Sequence, residues 1–215
     1  MRALFREPFI ITHSERTDVY RFGYRKSASC FRELRYLWIT NLLPKVMRDF
    51  LKVYYDILLS NQMFFTDDQC PSSLSLGGDP GLDAVLEWAR PKIGRLVGLE
   101  LTPTYSYTRL YAEGEVLARH TDRPACEISV TVSVKIPKGM GPSVIYLKPP
   151  GLPETHVEMH EGDACIYAGL EVEHWREPFP SDGYIQLFLH FIDTRGKNFP
   201  KYAYDERERL GGSRR

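Results

Sequence analysis

The stretch GEVLARHTDRPACEISVTVSVKI, residues 114–136, joins a cluster of charged side chains to a strand of alternating serine, threonine and valine. His120 and Asp122 are separated by one residue, and such positions on an extended strand face the same side. The imidazole and the carboxylate would therefore point together into one cavity. The pattern predicts either a metal site or a charged turn before an ordinary strand.

A third metal ligand should come from a later strand, because a single strand cannot wrap a metal ion. His174 follows an apolar-alternating run in GLEVEHWREPF, residues 169–179. Two histidines and one carboxylate leave three coordination positions open, as in the facial triad of non-haem Fe(II) oxygenases. A tetrahedral zinc site that also uses His156 or His160 is the alternative.

Length and composition indicate one globular domain over residues 1–215, with 43% hydrophobic and 26% charged residues. Basic and acidic residues both number 28, so we expect no nucleic-acid partner. We find no signal peptide or membrane-spanning run and expect no membrane partner. The scattered cysteines predict reduced thiols and a cytoplasmic protein: Cys30, Cys70, Cys126 and Cys165. The sequence leaves the oligomeric state open.

The first hundred residues predict mostly helical support. Residues 42–61 carry an apolar stripe at helical spacing that we expect to be core. A second helix should start with Asp79 as cap and Pro80 in its first turn, kink or break at Pro91, and end at Gly98. Residues 61–80 lack periodicity and predict a long loop, a candidate lid over a site.

Beyond residue 104 the chain changes to short β-branched and aromatic runs separated by Gly, Pro and Asp. We count eight such runs up to residue 193, within a β core that we place at residues 101–194. This number and spacing predict a sandwich or jelly roll on which the helices pack, an α+β fold. The polar segment 205–215 predicts a frayed tail.

Two segments carry a family resemblance. YAEGEVLARHTD, residues 111–122, resembles prolyl-4-hydroxylase-type 2-oxoglutarate/Fe(II) dioxygenases, with Tyr111, Gly114, His120 and Asp122 at the family spacing. The stretch GDACIYAGLEVEHWREP, residues 162–178, resembles the later strand pair that carries the distal histidine and a proline four residues after it. The match extends over roughly residues 100–194.

The resemblance implies a double-stranded β-helix in which His120, Asp122 and His174 hold Fe(II) and form the catalytic centre. It implies 2-oxoglutarate and O2 as cosubstrates, succinate and CO2 as coproducts, and ascorbate as a supporting reductant. The activity would be hydroxylation of an unactivated C–H in an amino-acid-like or peptidyl substrate, with a prolyl residue as one candidate. Two alternatives remain: an AlkB-type nucleic-acid demethylase and a cupin-like metal protein that does not use 2-oxoglutarate.

The chain departs from the family at the base that binds the far carboxylate of 2-oxoglutarate. That base normally follows the distal histidine by about nine to twelve residues, where this chain reads GYIQ, residues 183–186. Arg176 should share the face of His174 and is our first substitute, with Lys135 second. Tyr111 is the expected hydroxyl partner of the cosubstrate.

Further residues are expected around the cavity. In YIQLFLHFID, residues 184–193, the apolar alternate positions should face the helices, which leaves Gln186 near the cosubstrate and His190 beside the substrate. Arg123 and Glu127 would either recognise a charged substrate or pair with each other, and we favour the pair. Arg109 is a weaker candidate for a substrate contact.

Overall fold

The computed structural model describes residues 10–11 and 20–212, with side chains from residue 24 onward. This part of the chain contains three α-helices and twelve strands. The helices are α1 (Tyr20–Leu34), α2 (Lys45–Ser60) and α3 (Pro80–Val97). The strands are β1 (Ile10–Ile11), β2 (Tyr36–Ile39), β3 (Phe65–Asp67), β4 (Cys70–Gly77), β5 (Leu101–Tyr111), β6 (Leu117–His120), β7 (Ile128–Lys135), β8 (Ser143–Lys148), β9 (Thr155–Met159), β10 (Ala164–Ala168), β11 (Glu173–Arg176) and β12 (Tyr184–Asp193).

The strands form two sheets. One has eight strands in the order β1-β2-β10-β7-β12-β5-β4-β3, and the other has four in the order β6-β11-β8-β9. The eight strands predicted beyond residue 104 are β5 to β12, and all are present. They supply the four central strands of the large sheet and the whole of the small one, the two layers of a jelly roll.

Alternation along β7 and β12 decides what faces each side of the large sheet. Val130 on β7 and Leu187 on β12 belong to the same buried apolar cluster as Leu86 of α3. The intervening positions, such as Ser129 and His190, lie opposite each other in register and face the small sheet. The helices therefore cover one face of the large sheet, and polar side chains collect on the other.

Helix α3 begins and ends as its sequence predicts. The Asp79 side chain accepts a hydrogen bond from the Leu82 amide at 3.0 Å, Pro80 is the first helical residue, and Gly98 ends the helix in a left-handed conformation with φ of 73°. The helix is continuous through Pro91, so a break there is wrong. Its predicted apolar face is buried: Leu82, Val85, Leu86, Ala89, Ile93, Leu96 and Val97.

Helix α2 buries a narrower face than predicted. Leu51 and Leu58 are buried in the core as expected. Val46, Phe50 and Ile57 are instead more than half exposed, at 78%, 63% and 54%. Because the helix lies on the large sheet with a single face, only every third or fourth residue reaches the core. The core prediction for these three residues is wrong.

The segment 61–80 is not a structureless loop. Strands β3 and β4 form an antiparallel hairpin, and β4 pairs with β5 at the edge of the large sheet. Together with β1 and β2 they give the first hundred residues more strand than predicted. The hairpin does cover the site described below, since Asp67 and Gln69 line its cavity.

Residues 205–212 of the C-terminal segment pack against the fold. Arg207 forms a buried ion pair with Asp83 of α3 at 2.6 Å, and Asp205 is also buried. The predicted frayed tail is therefore wrong for residues 205–212, and residues 213–215 lie outside the described part of the chain. A charge pair that is removed from water needs its partner, which fixes the segment against α3.

In the described ranges, no helix has the length and apolar character needed to cross a membrane. The four cysteines are all free thiols, three of them buried. The single-domain assignment and the cytoplasmic location remain predictions.

Candidate active site

The three predicted metal ligands lie together at one end of the space between the sheets. His120 ends β6 and lies opposite His174 of β11 in register. Oδ1 of Asp122 is 3.8 Å from Nε2 of His120 and 3.6 Å from Nε2 of His174. Three ligand atoms of the types found in iron sites thus converge, and the remaining directions face a cavity.

Both histidines direct Nε2 toward the point where the three ligand atoms converge. Nδ1 of His120 lies 2.7 Å from the carbonyl oxygen of Ala118, and Nδ1 of His174 lies 3.0 Å from that of Val172. A carbonyl only accepts, so each Nδ1 carries the proton and donates. Each Nε2 is then unprotonated and carries a lone pair, which is the tautomer that a metal requires.

Hydrogen bonds on the side away from the histidines position Asp122. Its Oδ2 accepts a hydrogen bond from Oγ of Ser129 at 2.5 Å, and its amide donates to the carbonyl of Gly169 at 2.8 Å. A Cβ added at Gly169 would lie 2.4 Å from Oδ2 and 2.2 Å from the carbonyl oxygen of Cys126. Only glycine leaves room here for the carboxylate, so local sterics fix its orientation.

Burial sets the ionisation of these groups. It lowers the pKa of His174 to about 4 and, together with the nearby His174 ring, lowers the pKa of His120. It raises the pKa of Asp122 to about 6. The imidazoles of His120 and His174 are therefore neutral near pH 7, the form that coordinates a metal. The desolvated carboxylate of Asp122 would be stabilised in its charged form by a bound cation. This donor set fits a divalent metal.

The alternative zinc site is not formed. Among the described residues, neither His156 nor His160 belongs to a group of converging ligand atoms, and the His156 side chain is 55% exposed. Cys126 does lie near Asp122 and His190, but its thiol contacts the hydroxyl of Tyr105 at 3.1 Å. Burial raises the pKa of Cys126, so the neutral thiol is favoured.

A second polar group lies deeper between the sheets. Its four side chains have buried atoms that lack a hydrogen-bond partner in the described structure: the hydroxyls of Tyr111 and Ser133, Nε and Nη2 of Arg176, and Oε1 of Gln186. Ser133 lies opposite Gln186 in register, and the guanidinium carbon of Arg176 is 5.6 Å from the Tyr111 ring centroid. We call Tyr111, Ser133, Arg176 and Gln186 the interior polar patch.

The interior polar patch has more donors than acceptors. Arg176 is 2% exposed, and only its Nη1 is bonded, to the carbonyl of Val144. Gln186 donates from Nε2 to Oγ1 of Thr131, which leaves its Oε1 as the one unpaired group of the patch that can only accept. Buried N–H and O–H groups without partners are costly, and an anion with several oxygens would satisfy them. The patch therefore fits a carboxylate.

The register of β7 separates the two predicted bases. Gln186 lies opposite Ser133, but the next residue of β12, Ile185, lies opposite Lys135, so β7 carries one extra residue here. Lys135 is thereby aligned with Ile185, a member of the apolar cluster that includes the helices. The structure brings Arg176 into the interior polar patch and leaves Lys135 half-buried at its border.

The metal ligands face a cavity of about 370 Å³ with aromatic walls. Tyr105, Tyr107 and Phe188 supply these walls, and His190 also lines the cavity as predicted. Arg109 lines it too, but its Nη2 pairs with Oδ2 of Asp67 at 2.6 Å. Arg109, which we predicted as a substrate contact, is therefore also bound in an ion pair with Asp67.

Gln69 was missed by the sequence analysis. Its Nε2 lies 3.1 Å from Nε2 of His120, and its Oε1 accepts from Nη1 and Nη2 of Arg109 at 3.2 and 3.1 Å. The sequence gives no signal for this contact, because it joins residues far apart in the chain through the unpredicted hairpin.

The favoured pairing of Arg123 with Glu127 is wrong. Arg123 makes two hydrogen bonds to the carboxylate of Asp205, at 2.7 and 2.8 Å. Glu127 instead accepts from the Asp193 amide at 3.2 Å and from Nδ2 of Asn198 at 3.0 Å. Glu127 thus holds the segment after β12 and is absent from the described cavity lining, whereas Arg123 does line it.

No family model matches the sequence, and no curated protein matches it either. Solved structures do match the fold. A prolyl-4-hydroxylase from Pseudomonas putida superposes with a TM-score of 0.65 at 17% identity, over 80% of this chain and 100% of the other. A Trichoplax adhaerens prolyl hydroxylase, in complex with a hypoxia inducible factor oxygen degradation domain peptide, gives 0.65 at 14% identity, over 83% and 94%.

A Burkholderia pseudomallei oxidoreductase of the 2OG-Fe(II) oxygenase family gives a TM-score of 0.63 at 12% identity, over 90% of this chain and 98% of the other. At such low identity the likeness concerns the fold. The two antiparallel sheets with helices on one face agree with it, so the predicted fold is confirmed. This chain has the double-stranded β-helix fold of the 2-oxoglutarate/Fe(II) oxygenases.

Proposed function

We propose that this protein is a 2-oxoglutarate- and Fe(II)-dependent dioxygenase that hydroxylates an unactivated C–H of a peptidyl or amino-acid-like substrate. One observation carries the proposal. Three convergent metal ligands and a buried, donor-rich patch with unpaired N–H and O–H groups share strand β11, with His174 in the first group and Arg176, two residues later, in the second. The first group fits iron and the second fits the carboxylate of a cosubstrate.

His120, Asp122 and His174 would hold the iron. When bound, iron and 2-oxoglutarate supply the oxidising chemistry that activates O2 for insertion into a C–H bond. The protein supplies geometry: the carbonyls of Ala118 and Val172 fix both imidazole tautomers. Ser129 holds the carboxylate oxygen that faces away from the histidines.

The interior polar patch would hold the far carboxylate of 2-oxoglutarate. The free Nε and Nη2 of Arg176 form the planar fork that binds a carboxylate with two hydrogen bonds. The hydroxyls of Tyr111 and Ser133 add two donors, and Gln186 borders the group. We assign the anchoring role to Arg176, in place of the base that the family carries on the last strand, and leave Lys135 second.

A peptidyl substrate is supported by the open, aromatic cavity and by the peptide that the Trichoplax adhaerens neighbour binds. Its reacting residue would lie against the rings of Tyr107 and Phe188, which contact each other with centroids 6.2 Å apart. These rings give the reacting carbon an apolar surface to pack on. A prolyl side chain is one apolar group that suits them. We place the enzyme in the cytoplasm, where its free thiols stay reduced.

The test is succinate formation from 2-oxoglutarate with Fe(II), ascorbate and a defined peptide library, with 18O2 as the oxygen source. We expect one iron per chain, succinate, and a peptide mass increase of one 18O atom. Asp122→Ala should abolish all three while the far-ultraviolet circular dichroism is retained. Metal binding without succinate would support a cupin-like protein, and turnover on methylated oligonucleotides alone would support a demethylase. Either result contradicts the proposal.

A further inference from the structure

A short hydrogen-bond relay runs from the metal site to the substrate cavity. Oγ of Ser129 lies 2.5 Å from Oδ2 of Asp122 and 3.0 Å from Nδ1 of His190. A carboxylate can only accept, so the Ser129 hydroxyl donates its proton to Asp122. The Ser129 oxygen is then an acceptor toward His190, and Nδ1 of His190 must carry the proton. The metal-binding carboxylate thus fixes the tautomer of a residue that lies outside the triad.

The free nitrogen of His190 is a fixed acceptor at the cavity. The ring is 5% exposed, lines the cavity, and packs at a tilt on the Tyr105 ring with centroids 4.7 Å apart. In the described structure no side chain or backbone group hydrogen-bonds to Nε2. Burial in aromatic surroundings keeps the ring neutral, so Nε2 presents a lone pair and no proton. An acceptor that opens onto the cavity takes its hydrogen bond from water or from an incoming donor.

The charges around the cavity are already compensated. Arg109 pairs with Asp67 at 2.6 Å, and Arg123 pairs with Asp205 at 2.7 Å. A charged substrate group placed here would have to break one of these pairs, which would leave a desolvated partner without its counter-charge. The remaining walls are aromatic. The substrate group that lies beside the metal is therefore uncharged.

The cavity continues into a second one of about 520 Å³, which shares Tyr105, Tyr107 and Arg123 with it and reaches Phe65 of the hairpin. Both cavities are open on the outside, between the hairpin and the turn that follows β6. This shape gives an extended chain room to continue beyond the reacting residue.

We infer that the substrate is a peptide whose reacting residue is uncharged and whose backbone N–H donates to Nε2 of His190. The inference rests on the proposed function and deepens it: His190 becomes a specificity-determining residue, and a free amino acid, with two uncompensated charges, is a poor substrate. Donor recognition by a site built to accept discriminates strongly against analogues that lack the N–H.

The experiment uses protein labelled with 15N-histidine and loaded with zinc(II) and 2-oxoglutarate, so that the complex is diamagnetic and inert. The chain has only six histidines, and His190→Phe identifies the His190 signals. Long-range 1H–15N spectra report which ring nitrogen is protonated. Two peptide-bond mimics are titrated in parallel: N-methylacetamide has an N–H, and N,N-dimethylacetamide has none.

We expect His190 protonated on Nδ1 alone, and an Nε2 resonance that moves with N-methylacetamide at least fivefold more than with N,N-dimethylacetamide. Ser129→Ala should release the tautomer and Ser129→Thr should retain it. An Nε2-protonated ring, equal responses to the two amides, or no response to either overturns the inference. Zinc-induced shifts of His120 and His174 are read first, since their absence contradicts the proposed function and not the role of His190.

Discussion

Replacing Arg176 with methionine should remove the cosubstrate anchor and leave the metal site intact. The guanidinium is 2% exposed and has two N–H donors without a partner beside Tyr111. Removing one partner of a buried, hydrogen-bonded charge pair costs about 2–5 kcal/mol. A central value of about 3 kcal/mol corresponds to a dissociation constant for 2-oxoglutarate that is roughly 150-fold higher, at about 1.4 kcal/mol per tenfold change.

The assay is calorimetric titration of 2-oxoglutarate into protein loaded with Mn(II). The guanidinium carbon of Arg176 lies 5.1 Å from the Tyr184 ring centroid, and a methionine of similar length can pack on the same ring, so the Mn(II) affinity should stay within about threefold. Arg195→Met is the matched control, because the Arg195 side chain is 82% exposed and its ion pair within the described residues is with the exposed Glu100. Lys135→Met should have the smaller effect of the two candidate bases.

The reasoning is refuted if Arg176→Met binds 2-oxoglutarate within threefold of the wild type, or if Lys135→Met loses more. The metal-free variant offers an independent check. Because the guanidinium of Arg176 is desolvated and only partly bonded, its replacement by an apolar side chain should not lower the melting temperature. A large drop would show that Arg176 has a structural role that the interior polar patch does not explain.

Three further outcomes follow from the structure. Gly169→Ala should weaken Mn(II) binding at least tenfold by displacing the metal-binding carboxylate, whereas Gly141→Ala, with open space around its Cβ, should bind Mn(II) normally. Arg207→Leu should lower the free energy of unfolding by about 3–5 kcal/mol, because it breaks the buried ion pair with Asp83. Arg209 is exposed, so Arg209→Leu should leave the stability unchanged, and thermal melts of the two variants test the difference. Burial lowers the pKa of His190 to about 3, below the value of about 6.5 for an unperturbed histidine. As the pH drops below about 6.5, the unfolded chain therefore binds a proton that the folded chain does not, and the free energy of unfolding falls. Between pH 6.5 and 4, the urea midpoint of metal-free His190→Phe should fall less than that of the metal-free wild type.

The sequence was sufficient for the parts of the site that depend on strand alternation. The ligand atoms of His120 and Asp122 converge as their spacing predicts, although β6 ends at His120 and Asp122 follows it. Arg176 and His174, two residues apart on β11, are both buried. The apolar alternation of β12 correctly placed His190 toward the cavity. These relations are local, so a single sequence contains them.

Contacts between distant residues were beyond the sequence. Arg123 pairs with Asp205, eighty-two positions away, although Glu127 lies only four residues from it. The extra residue in β7 that turns Lys135 from the interior polar patch depends on the partner strand. The sequence of the hairpin that carries Asp67 has no clear hydrophobic period. The charge of Asp67 is compensated by Arg109 only because β5 lies beside the hairpin. Pairing across the fold decides these features, and residue spacing does not report it.

The measurement that tests the central claim most directly is native mass spectrometry of the anaerobic protein with Fe(II) and 2-oxoglutarate. We predict a complex of one chain with one iron and one 2-oxoglutarate, in which 2-oxoglutarate does not bind without the metal. Asp122→Ala should lose both ligands, and Arg176→Met should keep iron but lose 2-oxoglutarate. A chain that binds 2-oxoglutarate equally well without iron, or an Asp122→Ala variant that retains both ligands, would contradict the account.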